Sequence, residues 1–144
     1  MDEPSLGEIV NRAARLLRRL ADARLGRFGL SSGYLPIMTA LMKDESLAQK
    51  ALVARAGIEQ PTMVNTLARM ERDGIIERRP DPADGRSALF SLTPRMKAQV
   101  PEIRAAIKAL GNEAGAGLTS EERAAMDRAL LNLSRTIEAA LRDS

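Results

Sequence analysis

The sequence predicts a mainly α protein with one small β-hairpin. Three observations carry that expectation. Apolar residues recur at helical spacing in several separate segments. Aromatic residues are scarce: Phe28, Tyr34 and Phe90 are the only ones in 144 residues, with no Trp, whereas strand-rich folds lean on aromatic and β-branched side chains. A single stretch dense in turn formers, Pro80 to Ser87, separates two short β-like runs. Hydrophobic residues make up 44% and charged residues 28%, which suits one compact domain with helical extensions.

The first helix is predicted from about Ser5 to Arg27. Ile9, Ala13, Leu16, Leu17 and Leu20 share a stripe, and Arg12, Arg15, Arg18, Arg19 and Arg24 fill much of the rest. The Arg-rich side reads as a solvated face, or as a surface that lines a cavity or meets phosphate. Gly26 and Gly29 close the helix. A second helix is expected from Ser31 or Ser32, with Leu35, Met38, Leu41 and Met42 on its apolar face. Pro36 in its first turn should bend or delay it.

Ser46 and Gln49 have capping-box spacing, predicting a short helix to about Ala56. Gly57 then turns the chain. The next helix opens at Gln60-Pro61-Thr62, with Pro near the first helical position. It runs through Met63, Leu67 and Met70 to Asp73 and stops at Gly74. Two short helices joined at a glycine outline a helix-turn-helix. The run 75–79 reads as a strand, 80–87 as a turn, and 88–92 as the return strand. A helix-turn-helix followed by a hairpin is a winged helix.

Thr93-Pro94 starts a further helix, with Thr as cap. Met96, Val100, Ile103, Ile107 and Leu110 form a seam of alternating 4 and 3 spacing, and Pro101 inside it should produce a kink. Gly111, Gly115 and Gly117 mark a break. Thr119 and Glu122 form a second capping box. The last helix presents Met126, Leu130, Leu133, Ile137 and Leu141 on one face. Long stripes on the first and last helices need partners, and pairing of two chains is the economical solution.

Composition excludes much chemistry. There is no Cys, hence no disulfide, thiol nucleophile or thiolate metal site, and no His, hence no histidine triad or imidazole ligand. No metal site and no cofactor is expected. A carboxylate-based hydrolase would need clustered acids, and here the acids are interspersed with Arg and Lys. Ser31, Ser46 and Thr93 stand at helix starts, where capping explains them better than nucleophilic chemistry. The acidic Met1-Asp2-Glu3-Pro4 start resembles no secretion signal, and no apolar run approaches a membrane span. A soluble, cytoplasmic chain without membrane contact is expected. Net charge is +3, and residues 43–95 carry nine basic and eight acidic groups. An anionic partner would have to be met by local charge placement.

The stretch from Leu47 to Arg78 resembles the DNA-binding core of the MarR family, the multiple-antibiotic-resistance-type regulators. Pro82-Ala83-Asp84-Gly85-Arg86-Ser87 resembles that family's Asp-x-Arg wing, and Leu92-Thr93 its entry to the next helix. Gly85 follows Asp84 where members often carry Arg, and Met96 stands where they often carry Gly. The resemblance implies a winged helix-turn-helix over 31–93, flanked by dimerisation helices at 5–30 and 94–142, all in one domain of residues 1–144. It further implies a homodimeric transcription regulator, in most members a repressor. Many release double-stranded DNA when a small aromatic or phenolic acid binds.

For DNA contact, Gln60, Pro61, Thr62, Asn65 and Arg69 are the outward candidates on the second helix of the motif. Amide side chains pair with adenine and Arg with guanine, while Thr or Pro can meet a thymine methyl or phosphate. Arg86 at the wing tip suits the minor groove or its phosphates, with Asp84 expected to hold its guanidinium in a salt bridge. Arg78 and Arg79 are further phosphate candidates, or charges that merely blunt a strand edge. Tyr34, Met38 and Met42 are candidates for bordering an effector cavity, though a Met stripe is more often core. The competing function is a winged-helix module that binds protein and not DNA.

Overall fold

A computed structural model describes residues 2–144. Six α-helices lie among them: α1 Leu6–Leu25, α2 Leu35–Lys43, α3 Gln49–Ala56, α4 Gln60–Arg72, α5 Pro94–Ala114 and α6 Ser120–Arg142. Three strands, β1 Leu47–Ala48, β2 Ile76–Asp81 and β3 Asp84–Leu92, form an antiparallel sheet in the order β1-β3-β2. The chain divides into two compact units, one reaching to Lys108 and one spanning Ala109–Ser144. The mainly α class with a small β wing is the observed one.

In the first unit, α1 starts at a reciprocal cap. The Glu8 N–H donates to Ser5 Oγ at 3.2 Å, and the Ser5 N–H donates to Glu8 Oε2 at 2.9 Å. Its C-terminal end buries Ala21 and Leu25, but Leu6, Ile9, Leu16 and Leu17 stay exposed. The serines after it do not cap a helix through their side chains. A 3-10 turn, Ser32–Tyr34, comes first, and α2 starts at Leu35 with Pro36 in its opening turn. Pro36 therefore delays the α-helix. The Ser32 N–H donates to Asp22 Oδ1 at 2.6 Å, tying the turn back to α1.

The expected capping box at Ser46 is corrected. Leu47 and Ala48 instead form β1, paired with Phe90 and Leu89 of β3. Ala48 becomes the N-cap of α3 without a side-chain bond. The free edge of β3 offers backbone partners to residues 47 and 48, and satisfied main-chain pairing outweighs one side-chain cap. The Ser46 hydroxyl accepts from Arg79 Nη2 at 3.3 Å.

Gly57 has φ +66°, and its N–H donates to Val53 O at 3.1 Å. A residue with a Cβ would be strained there, so the tight turn into α4 depends on glycine. Helix α4 buries Met63, Thr66, Leu67 and Met70. These pack into a core with Ile37, Met38, Leu52, Ile75, Ile76, Leu92, Met96 and Ile103, each almost fully buried. Truncating one such Leu, Ile or Met to Ala costs about 2–5 kcal/mol.

The wing is longer than predicted. Residues 80 and 81 extend β2 and residues 84–87 extend β3, leaving Pro82-Ala83 as the loop. Pro80, opposite Ala88, is tolerated because β2 is an edge strand. Asp81 Oδ1 accepts the Ala83 N–H at 2.9 Å, closing the turn. After the wing, Thr93 precedes α5, and the Met96 N–H donates weakly to its hydroxyl at 3.4 Å. Helix α5 continues through Pro101.

In the second unit, the Thr119–Glu122 capping box is present in both directions, at 3.1 and 2.9 Å. Arg123 Nη1 reaches Gly111 O at 3.4 Å. Helix α6 buries none of its residues: Met126, Leu130, Leu131, Ile137 and Leu141 are all exposed. No helix of the described residues is long and apolar enough to cross a membrane.

Candidate nucleic-acid interface

The buried residues of α4, at 63, 66, 67 and 70, occupy one side of a helix with 3.6 residues per turn. The opposite side is uncovered. Gln60, Pro61, Thr62, Asn65 and Arg69 are all exposed, so the five predicted side chains share the outward half of one helix. Three further residues lie there: Val64, 48% exposed, Ala68, and Arg72, whose side chain is 72% exposed. The same period that placed Asn65 and Arg69 also places Ala68 and Arg72 outward, so the signal was in the sequence.

At the wing, Asp84 and Arg86 adopt a different relationship from the predicted salt bridge. Asp84 Oδ1 accepts the backbone N–H of Arg86 at 3.0 Å. This carboxylate organises the tip, and the exposed Arg86 guanidinium makes no ion pair among the described residues. A free guanidinium on a protruding hairpin can enter a groove or meet phosphate.

Arg78 is engaged elsewhere. Its Nε donates to both Glu71 carboxylate oxygens at 3.0 and 3.2 Å, Nη2 lies 3.0 Å from Oε1, and the guanidinium stacks 5.2 Å from the Phe90 ring centre. It fastens β2 to the last turn of α4.

The three effector candidates are not brought to one cavity. Met38 is fully buried in the core. Tyr34 is also buried, and its hydroxyl donates to Asp73 Oδ2 at 2.9 Å. Burial raises the Tyr34 pKa, aided by the hydrogen bond to Asp73 and its negative charge, and opposed by Arg69 and Arg72. Met42 alone of the three lines a recess of about 200 Å³, with Thr39, Lys43, Arg104 and Ile107. Arg104 Nη2 donates to Met42 O at 2.8 Å, at the end of α2.

A helix-turn-helix with an uncovered second helix and a β-hairpin beside it defines a winged-helix protein. The MarR family model matches residues 28–87 of this chain, the stretch from the end of α1 to the wing. The same fold recurs in solved structures. One is a "probable transcriptional regulator" from Pseudomonas aeruginosa, 26% identical, with TM-score 0.83, covering 90% of this chain and 96% of that one. A mutant MarR from E. coli complexed with operator DNA is 20% identical, with TM-score 0.81 and coverage of 89% and 92%. BpsR of Bordetella bronchiseptica, whose DNA binding is regulated by 6-hydroxynicotinic acid, is 23% identical, with TM-score 0.81 and coverage of 90% and 93%.

Proposed function

We propose that this chain is a homodimeric, cytoplasmic transcription regulator that represses by binding a pseudo-palindromic operator. The observation that carries the reading is the uncovered face of α4, with amide, hydroxyl and guanidinium side chains, together with an exposed Arg86 on the wing that makes no ion pair among the described residues. In this reading Gln60, Pro61, Thr62, Asn65 and Arg69 face the major groove, and Arg86, ordered by Asp84, meets the minor groove or its phosphates. Arg78 supports the surface by holding β2 to α4. A relative of the same fold crystallised on its operator agrees with this.

Two chains are required because α1 and α6 carry exposed Leu, Ile and Met residues along their lengths. Such stripes are stable in water when a second copy covers them. Residues 5–30 and 94–142 serve as the dimerisation helices. Release of DNA by a small aromatic or phenolic acid is part of the proposal. The recess beside Met42 has two cations, Lys43 and Arg104, next to Ile107, a combination that fits a carboxylate on an apolar ring.

Selection from a random duplex pool, followed by anisotropy titration at several salt concentrations, tests the reading. The expected result is an enriched inverted repeat with half-sites about one helical turn apart, bound by a dimer. Sedimentation of Leu130→Glu should show a monomer where the wild type is a dimer. No enrichment, with weak binding at every salt, would instead support a winged-helix module that binds protein.

A further inference from the structure

We propose that Tyr34 is a positioning residue for the DNA-reading helix: its hydroxyl, anchored on Asp73, sets where the C-terminal end of α4 lies. This rests on the DNA-binding reading above and adds a determinant of discrimination outside the DNA-facing surface.

Asp73 is the C-cap of α4, its N–H donating to Arg69 O at 2.9 Å. Its carboxylate receives the Tyr34 hydroxyl at 2.9 Å, joining residues 39 positions apart. The same turn is held from the α5 side. Arg95 Nη2 donates to Asp73 O at 3.2 Å and Gly74 O at 2.9 Å, and Thr93 Oγ1 donates to Gly74 O at 2.8 Å. Gly74 itself has φ +74°, with Arg95 Nη2 only 3.2 Å from where a Cβ would stand. The end of α4 is thus clamped between two sets of donors.

The Tyr34 arm of this clamp leads back to α1. The Tyr34 N–H donates to Ser31 O at 3.0 Å, and the Ser32 N–H donates to Asp22 Oδ1 at 2.6 Å. A continuous series of bonds therefore runs from α1 through the 3-10 turn to the last turn of α4. Arg69 and Arg72 sit within one turn of Asp73. Moving that turn moves them.

Packing alone does not require the hydroxyl, because a phenylalanine ring would fill the same space. What the hydroxyl adds is direction. Base-edge hydrogen bonds weaken steeply when distances and angles drift, whereas phosphate attraction by long cationic side chains is tolerant and sequence-independent. Loss of the Tyr34–Asp73 bond should therefore lower discrimination and leave general DNA affinity intact.

The test compares wild type, Tyr34→Phe, Asp73→Ala, the double variant and Asp73→Asn on the selected operator and on a scrambled duplex, across a salt series, with thermal midpoints. Tyr34→Phe should weaken operator binding about three- to ten-fold, the worth of one hydrogen bond. Scrambled-duplex binding and the salt slope should not change. Asp73→Ala should lose the same ratio of operator to scrambled binding, and the double variant no more than either single one. Asp73→Asn keeps an acceptor and should restore most of the ratio. If Tyr34→Phe folds poorly, the Asp73→Ala and Asp73→Asn pair decides the matter. Wild-type discrimination in Tyr34→Phe, or equal losses on both duplexes, would overturn the positioning role alone. A wild type that prefers no duplex defeats the DNA-binding reading, and this proposal with it.

Discussion

Arg78 grips Glu71 with two of its nitrogens, joining the first strand of the wing to the last turn of α4. Both side chains remain partly in water, at 52% and 36% exposure, which limits the pair to about 1 kcal/mol or less. The stack on Phe90 adds to it. Arg78→Ala should lower the thermal midpoint by about 3–5 °C and leave the salt slope of DNA binding unchanged. A slope that fell with unchanged stability would make Arg78 a phosphate contact.

Arg86 is the opposite case. Its guanidinium makes no ion pair among the described residues, so Arg86→Ala should leave the thermal midpoint where it is. Operator binding should weaken at many sequences, and the salt slope should fall by about one phosphate contact per protomer. Asp84→Ala should act through the tip geometry, because Asp84 orders the Arg86 backbone. Equal binding by Arg86→Ala and wild type across a salt series would remove the wing from the interface.

Helix periodicity and glycine punctuation made most of the fold legible, because each depends on residues near one another. The buried and exposed sides of α4 follow directly from the spacing of Met63, Leu67 and Met70. The cap expected at Ser46 is overridden by residues distant in the chain. Ser46 has cap spacing, but β3 forms beside Leu47 and draws the segment into the sheet. Asp84 and Arg86 were expected to pair as charges, yet a backbone N–H two residues on is the nearer partner. Arg78 is a phosphate candidate from its position alone, and its pairing with Glu71 appears only where β2 lies alongside α4. Met38, on the apolar face of α2, is core, as a Met stripe more often is. Val64, Ala68 and Arg72 were missed although their spacing matches Asn65 and Arg69.

Tyr34 should also record alkaline pH. It is the only tyrosine in the chain, so phenolate absorbance reports on it alone. Its pKa is raised in the folded protein, first by burial and then by Asp73. The neutral phenol is thus favoured by folding. Its contribution is fully present below the unfolded value of about 10 and is lost as pH climbs through the raised folded value. Denaturant titrations should show a wild-type stability decline above pH 10 that is shallower in Tyr34→Phe. Lysines titrate in the same region in both proteins, so the difference between the two isolates the phenol. Identical declines would mean that Tyr34 ionises as freely folded as unfolded.

Val64 is the one large apolar side chain on the outward side of α4, with Pro61 three residues before it and Ala68 four after. Nothing in the described chain covers it. In a major groove, the apolar groups at hand are thymine methyls. Gln60 and Asn65 flank Val64 with amides suited to adenine, so A·T pairs are expected opposite this strip. Replacing each thymine of the selected operator in turn by deoxyuridine removes only the methyl. At one position per half-site, wild-type binding should weaken about fourfold, the value of one methyl group taken from water at about 0.8 kcal/mol. Val64→Ala should weaken thymine-operator binding by a similar factor and be nearly indifferent to the same replacement. Independent, additive losses would place Val64 away from the methyl and leave the amides and Arg69 as the readers of that half-site.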